Sequence, residues 1–236
     1  MQDVRDFAVS SIPAEMIEDE AVSGSSGDQA YRRIRTDIVF GRLRPGQRLI
    51  LDRMKLTYGI SITTLREILS RLAAERLVTA EGQRGFQVAE CSADDLREVA
   101  ALRLLLESSA LKSSFAAGDV EWEARFVAAH HKLAHIEQRL VSGQDSPLEQ
   151  WKRYDFEFHN ALVSACGSKA LLDLHAGVYD RYLRYQMVFG VFRGDIAAHE
   201  HRELLEAALA RQAESALAIL QRHVNACIEA VLSKGL

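Results

Sequence analysis

The sequence has few cysteines, no long apolar run and no basic-then-apolar start, and each shortage excludes a class of protein. Its three cysteines, Cys91, Cys166 and Cys227, are far apart and odd in number. That argues against a disulfide framework or a cysteine-based zinc knuckle and leaves reduced, partly buried thiols. No apolar run reaches the roughly 20 residues a helix needs to cross a bilayer. The first residues lack a secretory pattern, so a cytoplasmic protein with no membrane partner is expected. No Glu stands at a general-base offset as in His-Glu-x-x-His, which weakens a metal-dependent hydrolase reading.

What is present suits a folded chain. With 48% hydrophobic residues over 236 positions, there is material for one large core or two smaller ones. The net charge of −4 at first argues against an anionic partner. Its distribution reverses that argument. Residues 1–27 carry one basic and six acidic side chains and end in Ser23-Gly24-Ser25-Ser26-Gly27, the composition of a flexible arm. Residues 28–90 carry twelve basic against seven acidic, and residues 91–236 sixteen against twenty. Positive charge is concentrated in the middle segment, and DNA is the partner that fits it.

Residues 28–90 read as a small module. Asp28 is placed to cap a helix bearing Tyr31, Ile34, Ile38 and Val39 at helical spacing, closed by Gly41 and the Arg44-Pro45-Gly46 turn. A second helix is expected from about Asp52 to Tyr58. Gly59 makes the turn, and Ser61 caps a third helix with Leu65, Ile68, Leu69 and Leu72 on its apolar face. Two short strands, residues 77–80 and 86–89, flank a glycine-bearing tip at 81–85. Three helices and a hairpin predict a winged helix-turn-helix for double-stranded operator DNA. Its recognition helix would present Ser61, Ile62, Thr63, Thr64 and Arg66, with Arg84 at the wing tip. Each alone reads as a solvated surface residue; the ordered set carries the inference.

From residue 91 onward no strand-like alternation occurs. Six helices are expected, at about 93–117, 120–141, 146–165, 168–190, 195–210 and 213–233, with Asp119, Ser146, Ser168 and Asp195 as caps. The predicted fold class is therefore mainly α: a winged helix-turn-helix followed by an all-α antiparallel bundle. Asp155 and His159 lie at i and i+4 on one helix face, flanking Trp151, Phe156, Phe158 and Leu162, while His201 and His223 fall on two later helices. Three imidazoles and a carboxylate suit a divalent ion such as zinc or nickel, although an Asp-x-x-x-His pair is usually a packing or surface pair. His130, His131 and His135 read as solvated or packing residues, and His199 faces away from His201. His175, Arg181 and Arg184 are not fixed by spacing. Tyr179, Tyr182, Tyr185 and Phe189 form a stripe read as core or dimer interface.

The module from Tyr31 to Ala89 resembles the DNA-binding domain of the GntR family. The resemblance rests on Gly41-Arg42-Leu43-Arg44-Pro45-Gly46, on Gly59-Ile60-Ser61-Ile62-Thr63-Thr64-Leu65-Arg66-Glu67-Ile68-Leu69, and on Gly82-Gln83-Arg84-Gly85-Phe86. Ile62 departs from the family, which usually has a DNA-contacting arginine there. The C-terminal domain is similar to the FCD effector domain of the FadR subfamily, through Asp155-Phe156-Glu157-Phe158-His159, Glu200-His201-Arg202-Glu203-Leu204-Leu205 and Arg222-His223-Val224. The resemblance implies a homodimeric regulator, commonly a repressor. Asp155, His159, His201 and His223 would bind the metal, which helps hold a small carboxylate effector. It also implies that Arg103 contacts the effector; the competing role is an intrahelical pair with Glu107. Other outcomes are a metal-sensing repressor, a purely structural ion or, last, a metal-dependent hydrolase.

Overall fold

A computed structural model describes residues 25–82, 85–144 and 147–236. The first helix, α1 (Ser26–Val39), starts inside the segment expected to be a free arm. Ser25 is its N-cap: the hydroxyl accepts from Asp28 N, and the Asp28 carboxylate accepts from Ser25 N, both at 3.2 Å. Asp28, expected as the cap, is thus the third residue of a capping box, which satisfies two free donors where one cap satisfies one. The rest of the expected arm, 1–24, lies outside the described residues.

A two-residue strand β1 (Arg48–Leu49) precedes α2 (Leu51–Tyr58) and α3 (Ile62–Ala74). Gly59 ends α2 at φ +68°, the left-handed conformation that glycine adopts without strain. Strands β2 (Val78–Ala80) and β3 (Phe86–Val88) form the expected hairpin. β1 adds a third strand on the far side of β3, pairing Leu49 with Phe86 in the order β1-β3-β2. The wing residues Gln83 and Arg84 lie outside the described residues. Ile34, Ile38, Leu65, Leu69, Leu72 and Val88 are fully buried and hold the three helices on the sheet.

Six helices follow: α4 (Ala93–Ala117), α5 (Val120–Val141), α6 (Leu148–Val163), α7 (Lys169–Val188), α8 (Asp195–Leu209) and α9 (Ala213–Leu232). Asp119 and Ser168 cap α5 and α7 as expected. Two other caps differ: Pro147 occupies the cap position of α6, and Gly194, at φ +57°, occupies that of α8. The expected Ser146 is outside the described residues. Asp195 is instead the first residue of α8, where its charge still complements the helix dipole. The molecule is mainly α, with the small sheet confined to the winged module. Among the described residues no helix is long and apolar enough to cross a membrane.

α7 joins the two halves. Tyr179 and Leu183 belong to the winged module's apolar core, whereas Tyr182 and Tyr185 of the same helix belong to the bundle's core. Asp180 pairs with Arg35 of α1, and Arg184 donates to the Ala89 carbonyl at the end of the wing. A third tie runs from Arg42, just past α1, to Glu149 of α6 at 2.5 Å. Arg181 and Arg184 therefore line a cleft of about 370 Å³ between the halves.

Candidate DNA-reading face and metal centre

The start of α3 combines capping residues with outward-facing ones. Ser61 Oγ accepts from Thr64 N at 3.1 Å and lies 2.9 Å from Thr64 Oγ1, so both hydroxyls serve the helix start. Thr64 also turns toward α1: a methyl group at Gly27 would stand 3.5 Å from its Cγ2. Thr63 and Arg66 are exposed, and Ile62 is half-buried. Among the candidates on α3, Thr63, Arg66 and the open part of Ile62 form the face free to meet a base edge. Arg84 falls outside the described residues.

In the bundle, side chains from six helices meet at one buried point. His159 (α6) and His201 (α8) are fully buried, and His223 (α9) and Asp155 (α6) nearly so. The three imidazoles bring ligand atoms within 4.8 Å of one another, and Asp155 Oδ1 lies 3.5 Å from His201 Nε2. The i, i+4 spacing on α6 puts Asp155 and His159 on one face; only the packing of α8 and α9 adds the other two. His199, the neighbouring alternative, is 65% exposed on the outer face of α8.

The outer ring edge of His201 favours ligation through Nε2. His201 Nδ1 lies 2.8 Å from Glu137 Oε1, and His223 Nδ1 lies 2.8 Å from Glu200 Oε2. A carboxylate only accepts, so His201 Nδ1 carries the proton and its Nε2 keeps its lone pair, the arrangement of carboxylate–histidine–metal triads; His223 Nδ1 also meets Arg193 Nη2, a pure donor, at 2.9 Å. His159 Nδ1 faces Arg103 Nη2 at 3.1 Å and Glu107 Oε2 at 3.9 Å. Guanidinium nitrogen only donates, so His159 Nδ1 accepts from Arg103 in this arrangement, and Glu107 Oε2 is buried without a hydrogen bond. The Nε2 atoms of His159 and His201 are also buried with no hydrogen-bond partner. Such unpartnered inward-facing polar atoms cost free energy unless something occupies the centre. The donor set therefore fits a divalent ion.

Burial holds the His159 imidazole well below its usual range, and Arg103 adds to the shift. His223 falls to about 3, from burial first and then the nearby His201, Arg193 and Arg103. Burial alone would raise Asp155, but Lys152 foremost keeps it well below the ordinary carboxylate range. All three shifts keep the groups in the form that binds a cation.

Several neighbours were not legible in the spacing. Arg103 is fully buried, bonded to Glu107 at 2.9 Å and held between the rings of Tyr179 and Tyr182, 4.4 and 4.6 Å from their centroids. The intrahelical pair is therefore formed, and Arg103 also touches a candidate ligand. Tyr179, read as core or interface, donates its hydroxyl to Asp155 Oδ2 at 2.6 Å. His175 bonds Glu107 at 2.7 Å. Beside His201 and His223 a cavity of about 10 Å³ is lined by Lys152, Asp155, Gln186 and Arg193, among others. It has room for one water or an ion.

A winged helix-turn-helix joined to a helical bundle with a buried polar centre is the architecture of a DNA-binding transcriptional regulator. Residues 26–88 match the family described as "Bacterial regulatory proteins, gntR family", and residues 98–226 match the FCD domain. The chain is 37% identical over 211 residues to the HTH-type transcriptional regulator BphR of Paraburkholderia xenovorans strain LB400, covering 89% of this chain and 86% of that protein. It is 30% identical over 200 residues to the HTH-type transcriptional repressor GlaR of Escherichia coli K12, covering 82% and 90%. The solved fold of E. coli McbR/YncC superposes with a TM-score of 0.75 at 20% identity, covering 89% of this chain and 99% of that one. A GntR regulator from Rhodococcus sp. RHA1 gives 0.73 at 24%, covering 89% and 99%. The protein belongs to the GntR family of transcriptional regulators and carries an FCD domain. Its relatives are regulators rather than enzymes, which sets aside the hydrolase reading.

Proposed function

We propose that this regulator is a cytoplasmic homodimeric repressor whose operator affinity is set by a small carboxylate held at a divalent metal. Asp155, His159, His201 and His223 hold the ion, with zinc or nickel the best match to three imidazoles and one carboxylate. The observation that carries the reading is the pair of buried, unpartnered Nε2 atoms of His159 and His201, converging with His223. When bound, the ion supplies a fixed positive charge able to take a carboxylate oxygen. Thr63, Arg66 and Ile62 at the start of α3 read bases, and Arg84 reaches backbone or minor groove. Two modules in a dimer match two half-sites of a palindrome.

Coupling runs through α7. Tyr179 bonds the ligand Asp155, while the next residue, Asp180, pairs with Arg35 of the winged module. A change at the metal thus acts on a helix that also sets the placement of the DNA-reading module.

The cavity of about 10 Å³ favours a second reading, a metal-sensing repressor, because it admits an ion but no organic acid without rearrangement. The test is metal content and operator binding of the purified full chain, wild type against His159→Ala. Near-stoichiometric metal that drops in the variant, with operator affinity shifted by added carboxylate, supports the leading reading. Affinity that follows metal and ignores carboxylates selects the second. Absence of metal from protein purified without chelator sinks both.

A further inference from the structure

The cleft between the winged module and the bundle holds a buried cation without a counter-charge. Arg184 of α7 lines it and is only 4% exposed. Its Nη2 donates to the Ala89 carbonyl, while its Nε is buried with no hydrogen-bond partner, and among the described residues no carboxylate pairs with it. A guanidinium withdrawn from water is costly without an anion beside it. The nearby carboxylates are engaged elsewhere. Asp95 accepts from Arg181 at Oδ1 and from the Tyr185 hydroxyl at Oδ2, both at 2.7 Å. Glu90 is exposed, packs on Gly46 and accepts from Gln87 Nε2 at 3.4 Å. Glu75 and Asp180 are both tied to Arg35. The winged module contributes a second free cation to the cleft, Arg76, which is exposed and whose side chain has no partner among the described residues. Arg76 follows the C-cap of α3 at φ +59°, a position that glycine fills without strain. Arg211, the other described non-glycine residue at positive φ, bonds the Gly118 carbonyl and Glu123; Arg76 has no such bond.

We propose that this cleft binds the phosphoryl group of a small molecule between Arg184 of α7 and Arg76 of the winged module. The site is separate from the histidine centre and does not depend on the metal reading. With Asp95 matched to Arg181, two uncommitted guanidiniums remain, the complement of a phosphomonoester's charge of roughly −1.5 to −2 at neutral pH. A phosphoryl group also offers three oxygens to donors arriving from separate elements, whereas a carboxylate offers two in one plane. The cleft of about 370 Å³ has room for that group and for a short organic body against Ala73, Val78 and Ala89. Bound there, the ligand ties the residue just after the recognition helix to α7, and so fixes how that helix is held against the bundle.

The test titrates the full chain with inorganic phosphate, and separately with acetate, at ionic strength held constant with sodium chloride, and reads amide hydrogen exchange. Phosphate is expected to slow exchange saturably at residues 76–80 and 89–92, and to bind at least tenfold more tightly than acetate. Arg76→Gly relieves the left-handed backbone, so it is expected to melt no lower than the wild type, yet to lose phosphate affinity tenfold or more. Arg184→Met is expected to lose it likewise; if that variant does not fold, Arg76→Gly decides alone. His159→Ala is expected to keep the wild-type phosphate response, and losing it would move the anion to the histidine centre and overturn this inference. So would the absence of a saturable phosphate response, or phosphate affinity unchanged in Arg76→Gly. Exchange slowed only at residues 60–66 would place the anion on the DNA-reading face, with the same consequence. Acetate binding as tightly as phosphate overturns the phosphoryl class.

Discussion

At the residue scale, the site depends as much on the residues behind the histidines as on the histidines. Glu137 orients His201 through Nδ1 and keeps its lone pair inward. Glu137→Gln should lower metal affinity on the order of tenfold or more, the usual effect of losing a ligand's carboxylate partner; competition with a fluorescent chelator measures it. An unchanged affinity would mean that His201 is not a ligand. The same residues give a pH dependence. His159 and His223 are held neutral in the fold, His223 down to about 3, while in the unfolded chain they take up protons below about 6.5. Stability of the metal-free protein is therefore full above that value and lost as pH falls from it toward 3. Glu200, lowered to about 2 by its bonds from His223 and Arg193 against the effect of burial, adds a further loss below about 4.5. Thermal melts of chelator-treated protein should show Tm falling steadily from pH 7.5 to 5, and a flat profile contradicts this.

At the scale of the element, α7 matters most. One of its faces is core for the bundle and another is core for the winged module, so it cannot shift against one without disturbing the other. Its Tyr179 hydroxyl is the single direct bond between the helix and the candidate ligand Asp155. Tyr179→Phe keeps the ring that covers Arg103 and removes only that bond. The expected result is retained folding and operator binding, with the ratio of operator affinities with and without metal and carboxylate reduced severalfold. Electrophoretic mobility shifts under both conditions read it, and an unaltered ratio would remove Tyr179 from the coupling. Helix boundaries in this half were legible because long apolar periodicity and clear caps agree at Asp119 and Ser168. β1 was not, since two residues carry no period and its pairing partner is nearly 40 positions away.

For the whole molecule, charge separates labour. The winged module carries the excess of basic residues, while the rest of the chain is acidic, so DNA is drawn to one part of the molecule and not to the other. Arg66 is exposed on the recognition helix and lies outside the capping network of Ser61 and Thr64. Arg66→Ala should weaken operator binding by about 1–3 kcal/mol and relax preference at one position of each half-site. Binding titrations against an operator and single-base variants decide it. A loss equal for all sequences, with a lower salt slope, would make Arg66 a phosphate contact instead.

The sequence by itself determined what is local or periodic: six bundle helices, a helix-turn-helix closed by Gly59, the segregated charge, and the order along the chain of the aspartate and three histidines of the candidate centre. These follow from spacings of three to four residues and from caps, which act within one element. Tertiary structure decided what depends on distant elements meeting. It placed His201 and not His199 at the centre, set Glu137 and Glu200 behind the rings, turned Arg103 to the outer ring edge of His159, and brought Lys152 and Arg193 to the inner cavity. None of these has a sequence spacing, because each is fixed by how α4 to α9 pack, and packing joins residues as far apart in the chain as Lys112 and Glu214.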